Sequence, residues 1–238
     1  MQKKNLGAIL LALTMLLSLT ACGSGQTTQS TAAASVANKS QASASEPAES
    51  ATEQTADSAP EDTLILYFSA DNTRDADAVS AATPMTDGTS SVAWMANLIH
   101  DAVGGDLVKI VPSEDYPLDY DAVADAAKKE ADADARPAFE PLGVDPTSYK
   151  TVFIGYPIWW YTVPMVVETF FDTYDLSGVT IIPFNTHAGS GDGGTYTLIQ
   201  ERELDATVLD GLAVSGSSAG TDEAKDTVTQ WLQGLALE

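Results

Sequence analysis

The sequence contains one cysteine, two histidines and only 11 lysines and arginines against 34 aspartates and glutamates in 238 residues. A lone cysteine excludes an intrachain disulfide and a thiolate cage for zinc or an iron–sulfur cluster. With only His100 and His187 to add to scattered carboxylates, no metal centre is expected. A net charge of −23 leaves no cluster of cations to neutralise a phosphate backbone, so nucleic acid is not an expected partner. Adsorption to a membrane through a basic face is disfavoured for the same reason. No P-loop lysine motif occurs. Glu114, Asp115, Asp119 and Asp121 lack EF-hand spacing and read as a solvated acidic face.

Long apolar runs are scarce as well. The longest uncharged one, Leu6 to Leu19, follows Lys3 and Lys4, is short for a bilayer span and ends Leu19-Thr20-Ala21-Cys22. It reads as a secretory signal or, alternatively, as an uncleaved anchor helix carrying an incidental thiol. The terminal four residues resemble the lipobox of bacterial lipoproteins, whose signal is cut before the cysteine. That resemblance implies a signal peptide over 1–22, lipidation of Cys22 and a lipid-anchored location on the extracytoplasmic side of the cell membrane. Between Gly23 and Pro60 the only apolar residue larger than alanine is Val36. Such a stretch cannot bury enough surface to offset its ordering entropy, so 23–62 is expected to be a disordered tether.

The remainder, 63–238, alternates apolar runs with helical periodicity. Thr63 to Phe68 is nearly all apolar, as suits a strand covered on both faces. Val92, Met95, Ala96, Ile99, Ala102 and Val103 follow at helical spacing, closed by Gly104-Gly105. Leu107 to Val111 reads as a second strand, Asp121 to Asp134 as an alanine-rich helix and Thr151 to Gly155 as a third strand. A helix opening at Pro164, a fourth strand over Val179 to Phe184 and a helix over Thr195 to Asp205 come next. Thr207 to Val214 reads as a fifth strand, and Ala224, Val228, Trp231, Leu232 and Leu235 mark a last helix. Five alternations predict an α/β fold with a parallel sheet between two helical layers. Pro183 has no ladder donor and must sit near a strand end or at irregular pairing.

Ligands of such sheets bind beyond the carboxyl ends of the strands. Three loops are therefore candidates. After strand one stand Ser69 and Asn72, with Thr89, Ser90 and Ser91 just ahead of the first helix. These hydroxyls either cap the helix or hold an anion at its positive end. After strand three, Pro157, Ile158, Trp159, Trp160 and Tyr161 place three consecutive aromatics at the ligand edge, for stacking on a flat ring or for filling the core. After strand four come Thr186, His187, Gly189, Ser190 and Gly191, where glycines let backbone donors approach a ligand. Gly189, Gly191 and Gly194 satisfy G-x-G-x-x-G, but after the fourth strand rather than the first. His187 is either a proton donor or a loop histidine satisfied by backbone.

These segments resemble the flavodoxin-like family, in particular bacterial flavodoxin-type lipoproteins. The resemblance is carried by Leu66-Tyr67-Phe68-Ser69, by Gly155-Tyr156-Pro157-Ile158-Trp159-Trp160 and by Ile182-Pro183-Phe184-Asn185-Thr186-His187. Ala135-Arg136-Pro137 and Gly216-Ser217-Ser218 add to it. It implies a flavodoxin-like three-layer sandwich whose five-stranded parallel sheet runs 2-1-3-4-5, with FMN at the point where the winding reverses. By position, Ser69, Asn72 and Thr89 to Ser91 would hold the phosphate. Pro157 to Tyr161 would flank the isoalloxazine, with Trp159 or Trp160 against it, and Thr186 to Gly191 would face its polar edge. The family's compact first loop, Ser/Thr-x-Thr-Gly-x-Thr, is replaced here by Ser69-Ala70-Asp71-Asn72-Thr73-Arg74.

The resulting expectation is a membrane-tethered flavoprotein that binds FMN and transfers electrons. Its partner would be a redox protein with a basic docking face or a small-molecule electron acceptor. The alternatives are an FMN-dependent NAD(P)H reductase of quinones or small acceptors, and a cofactor-free binding lipoprotein of the same fold.

Overall fold

The computed structural model describes residues 62–70, 89–117 and 119–235. The expected signal peptide, Cys22, the tether and Asn72 lie outside the described residues. Among those described, no helix is long and apolar enough to cross a membrane.

The elements follow one another as β1 (Thr63–Phe68), α1 (Ser91–Val103), β2 (Asp106–Ile110), α2 (Tyr120–Asp132), β3 (Thr151–Pro157), α3 (Met165–Thr173), β4 (Thr180–His187), α4 (Thr195–Arg202), β5 (Thr207–Val208), β6 (Leu212–Ser215) and α5 (Asp222–Gly234). All strand pairs are parallel and the order is β2-β1-β3-β4-β5, the arrangement the sequence implied. The apolar run of β1 is split by its pleat. Leu64, Leu66 and Phe68 pack with residues of α2, α3 and α4, while Ile65 packs with α1 and α5. Two cores therefore flank one sheet, and both faces of the strand are dry. Gly155 is where β3 admits the Phe184 ring, since a Cβ there would lie 2.1 Å from Phe184 Cζ.

The fifth strand arrives in two pieces. Ile181 pairs with Val208 and Phe184 with Leu212, so the edge carries one residue more than β4 between these points. This bulge lies opposite Pro183, on the edge-facing side of β4, where Ile181 C=O accepts from Leu209 N–H. The ladder breaks where proline has no N–H to give. Pro183 is thus at irregular pairing inside the strand, and the continuous strand expected over Thr207 to Val214 is corrected to β5 plus β6.

Helix limits follow their caps. Ser90 Oγ accepts the Ala93 N–H at 3.1 Å, so this serine does cap α1. Asp119 and Thr221 cap α2 and α5 in the same way. α3 begins one residue after Pro164. The Ala135-Arg136-Pro137 stretch is fixed by charge. Arg136 pairs with Asp134 and Asp172, and Arg202 with Glu168, Asp172 and Glu203, tying the end of α2 to α3 and α4.

Candidate functional site

The carboxyl ends of β1, β3 and β4 lie side by side, so the sheet order alone brings the three candidate loops to one edge. Pro157 stands opposite Thr186 in the β3–β4 register, and the Ile158 N–H donates to Thr186 O at 2.9 Å. Past this point the two loops diverge and leave a crevice.

The three consecutive aromatics separate in function. Trp159 turns inward, 2% exposed, with its ring edge-on to Phe68 (centroids 5.2 Å apart) and to Tyr116 (5.0 Å). It fills the core, so of the two tryptophans only Trp160 remains available to a ligand. Trp159 N–H to Thr162 O (3.2 Å) and Thr162 N–H to Trp159 O (3.0 Å) close a two-residue turn. Trp160 and Tyr161 occupy its centre at φ 51° and 62°, a left-handed conformation that costs a residue with a Cβ on the order of 1–2 kcal/mol. Such a pair of central residues is ordinarily Asn-Gly. Two bulky aromatics held there store backbone strain that the surrounding contacts must offset.

Trp160 is held from outside the turn. Its indole N–H donates to Ala124 O of α2 at 2.9 Å, and Lys128 Nζ sits 5.7 Å from the ring centroid. Tyr161 is 72% exposed. Beneath these rings lies a cavity of about 420 Å³. One wall is Ile158, Trp160 and Tyr161; the facing wall is Ala188, Gly189 and Ser190; Tyr120 and Ala124 of α2 close the side. Tyr120 and Ala124 were not foreseen. Their only signal was an aromatic and a small residue four apart at the start of an acidic helix, and nothing in sequence places that helix against the β3 loop.

The glycine loop after β4 is shaped by its own side chains. His187 Nδ1 accepts the Gly189 N–H at 2.9 Å, so the neutral imidazole carries its proton on Nε2. Burial pulls the His187 pKa below its ordinary value, against an opposing pull from Asp192. Gly189, Gly191, Gly193 and Gly194 all have positive φ, which explains the glycine content here. Among the described residues, two buried side-chain polar atoms have no hydrogen-bond partner: Thr186 Oγ1 at the end of β4 and Trp159 Nε1. Native interiors leave few such atoms, and both belong to the loops around the crevice.

The first loop is seen in part. Ser69 and Ser91 are buried to 1% exposure, and Ser69 lines a separate cavity of about 200 Å³ with Ala70, Lys109 and Tyr116. Thr89, Ser90 and Ser91 stand at the α1 N-terminus, outside the lining of the larger cavity. The structure thus gathers Ile158, Trp160, Tyr161, Gly189 and Ser190 around one cavity and leaves Thr186, His187 and Gly191 just behind it.

Two other features lie apart from this cavity. Gly216-Ser217-Ser218-Ala219-Gly220 satisfies G-x-S-x-G formally, yet Ser218 is exposed in a 3₁₀ turn, and its recorded hydrogen bonds are those its carbonyl oxygen accepts from Thr221. The Glu114–Asp115 region borders a crevice in which Tyr116 O–H donates to Glu130 Oε2 at 2.8 Å; desolvation raises both groups.

A parallel sheet of this order, with a cavity beyond the carboxyl ends of β3 and β4, defines a doubly wound α/β protein. The profile of the Flavodoxin family matches residues 62–235, and the chain belongs to that family. Solved structures agree. A protein from Bacteroides eggerthii, described as a candidate flavoprotein, is 29% identical with a TM-score of 0.57 over 74% of this chain and 98% of its own. A similarly described protein from Bacteroides uniformis is 29% identical, with a TM-score of 0.56 over 72% and 97%. A flavoprotein from Lactobacillus acidophilus in complex with FMN shares the fold at 19% identity, with a TM-score of 0.52 over 71% and 99%. No curated protein sequence matches the chain.

Proposed function

We propose that this flavodoxin-like protein binds FMN in the crevice between the Trp160–Tyr161 turn and the glycine loop, and that it passes electrons while tethered through Cys22 outside the cytoplasm. The cavity of about 420 Å³ beyond the carboxyl ends of β3 and β4 carries the reading. The residues present fit the group. Trp160 and Tyr161 stand on one wall, Ala188, Gly189 and Ser190 on the other, and the buried Thr186 hydroxyl without a partner lies at the end of β4, where the glycine loop begins. Bound FMN would supply reversible one- and two-electron redox chemistry.

The remaining work falls to the chain. Trp160 and Tyr161 would lie against the ring and exclude water, with Trp160 braced by Ala124 and Lys128. Ile158 offers an apolar contact beneath. The 188–191 segment would offer the Ser190 and Gly191 N–H groups to the ring's polar edge, the Gly189 N–H being taken by His187, and Ser69 with Thr89 to Ser91 would hold the phosphate near the α1 N-terminus. The acidic surface would meet a redox partner with a basic docking face, or repel anionic competitors of a small acceptor.

A second reading is favoured by one observation, the fixed His187 tautomer. An Nε2–H donor beside a flavin site suits an FMN-dependent NAD(P)H reductase, with His187 delivering a proton to the acceptor. Stoichiometric oxidation of NADH or NADPH by the purified protein with a quinone would select the reductase. Reduction and reoxidation of bound FMN without such turnover would select the carrier. For the tether, a Cys22→Ser variant should leave the membrane fraction; retention there would overturn lipid anchoring.

A further inference from the structure

Two tyrosines, Tyr156 wholly buried and Tyr196 partly so, reach the underside of the glycine loop by the same device. Tyr196 of α4 donates its O–H to Asn185 Oδ1 at 2.5 Å, and Asn185 Nδ2 donates to Gly191 O at 3.1 Å. Tyr156 of β3 donates to Thr195 Oγ1 at 2.9 Å, and Thr195 Oγ1 donates to Asp192 O at 2.6 Å. Asn185 and Thr195 are wholly buried, as is Tyr156. Burial pushes both phenols far up, so each remains a donor at any physiological pH. Two successive carbonyls of the loop are thereby drawn inward by side chains whose other ends are themselves anchored.

The peptide unit is planar and trans. With Gly191 C=O turned toward Asn185, the Asp192 N–H of the same unit points the opposite way, away from Asn185. Among the described residues, no acceptor meets the N–H groups of Ser190, Gly191 or Asp192. These three residues are partly exposed, so water satisfies the donors until a ligand takes them. Ser190 lines the cavity, so the run begins at the cavity wall.

We infer that Tyr196 and Tyr156, acting through Asn185 and Thr195, are positioning residues that fix the Gly191–Asp192–Gly193 backbone and hold the Asp192 N–H away from the core as a preformed donor for the polar edge of the bound ring. The inference rests on the flavin-binding reading for the identity of the ligand, and on the structure alone for the bracing. It explains why a loop with four positive-φ glycines is not left to its own flexibility. It also gives a role to a polar cluster inside an otherwise apolar core, where hydrogen-bonded groups specify one arrangement.

The test is Tyr196→Phe in the full-length protein. The ring packs against Gly211, where a Cβ would lie 2.6 Å from Tyr196 Cζ, so phenylalanine preserves the packing and removes only the hydroxyl. Amide exchange of 190–194 should quicken by about tenfold while β1 and β3 are unchanged. FMN and riboflavin affinities should fall together, by a common factor of roughly three to ten, because the loop addresses the ring and not the phosphate. Leu198→Ala, an exposed change on the same helix, should alter neither. Unchanged loop exchange overturns the bracing, and faster exchange with unaltered flavin affinity overturns the positioning role. Loss of FMN affinity alone, with riboflavin spared, overturns the ring-edge assignment. If the parent protein binds no flavin, the functional reading fails, while the exchange result still decides the bracing.

Discussion

Replacing Tyr161 by glycine should make the protein more stable and a poorer flavin binder. Tyr161 sits at φ 62° as the second central residue of a tight turn, and it is 72% exposed. Relief of the left-handed conformation is worth about 1–2 kcal/mol, against which glycine's extra freedom in the unfolded chain costs about 0.5–1 kcal/mol. Little apolar area is lost, because little is buried. The net gain centres on about 0.75 kcal/mol within a span of about 0–1.5 kcal/mol, or a Tm rise of up to about 6 °C for a domain of this size. The same change strips one ring from the cavity wall, so FMN affinity should fall by roughly tenfold. Thermal unfolding followed by circular dichroism reads the first effect and fluorescence quenching of added FMN the second. A Tm that falls by several degrees would show that the turn is not strained in the way argued. An unaltered affinity would remove Tyr161 from the site. Trp160→Gly should behave differently, since it also forfeits the bond to Ala124 and the Lys128 contact.

Other outcomes follow from the same geometry. Trp159→Ala should cost about 3–5 kcal/mol and lower Tm by roughly 10 °C or more, because it empties the space between Phe68 and Tyr116; a loss below 1 kcal/mol would place Trp159 outside the core. Gly155→Ala should cost about 1–3 kcal/mol or more by forcing Phe184 aside, read as a lowered urea midpoint. His187 is held below its ordinary pKa, so the unfolded chain takes its proton first as pH falls. Its contribution to stability is therefore full above about 6.5 and is lost as pH drops below that value, a slope that denaturant titrations should show and that His187→Ala should abolish. Salt should slow electron exchange with a basic redox partner, and rates indifferent to ionic strength would argue against an electrostatic docking face.

The sheet was readable because its strands are apolar on both faces and its helices amphipathic, so β1, β3 and α1 declare themselves in composition alone. Pro183 was readable as an anomaly, but whether it would end the strand or bulge its neighbour depends on the register of a partner 27 residues on, which no local pattern encodes. The aromatic triplet shows the limit most clearly. Trp159 and Trp160 are chemically identical neighbours, and only the turn at Trp160–Tyr161 sends one indole into the core and the other onto α2. The helix supplying Tyr120 and Ala124 comes from the β2–β3 connection, so its place at the cavity is a consequence of tertiary packing. The bracing under the glycine loop was hidden for a related reason, since Tyr156 and Tyr196 lie far apart in sequence and meet the loop through intermediaries.

The most direct test of the account is a titration of the purified protein with FMN, followed by flavin fluorescence and the visible spectrum. The account expects one FMN per chain, strong quenching and a shifted, structured absorption band, all weakened by Trp160→Ala. A protein that leaves FMN fluorescence and absorption unchanged at micromolar concentrations would contradict it.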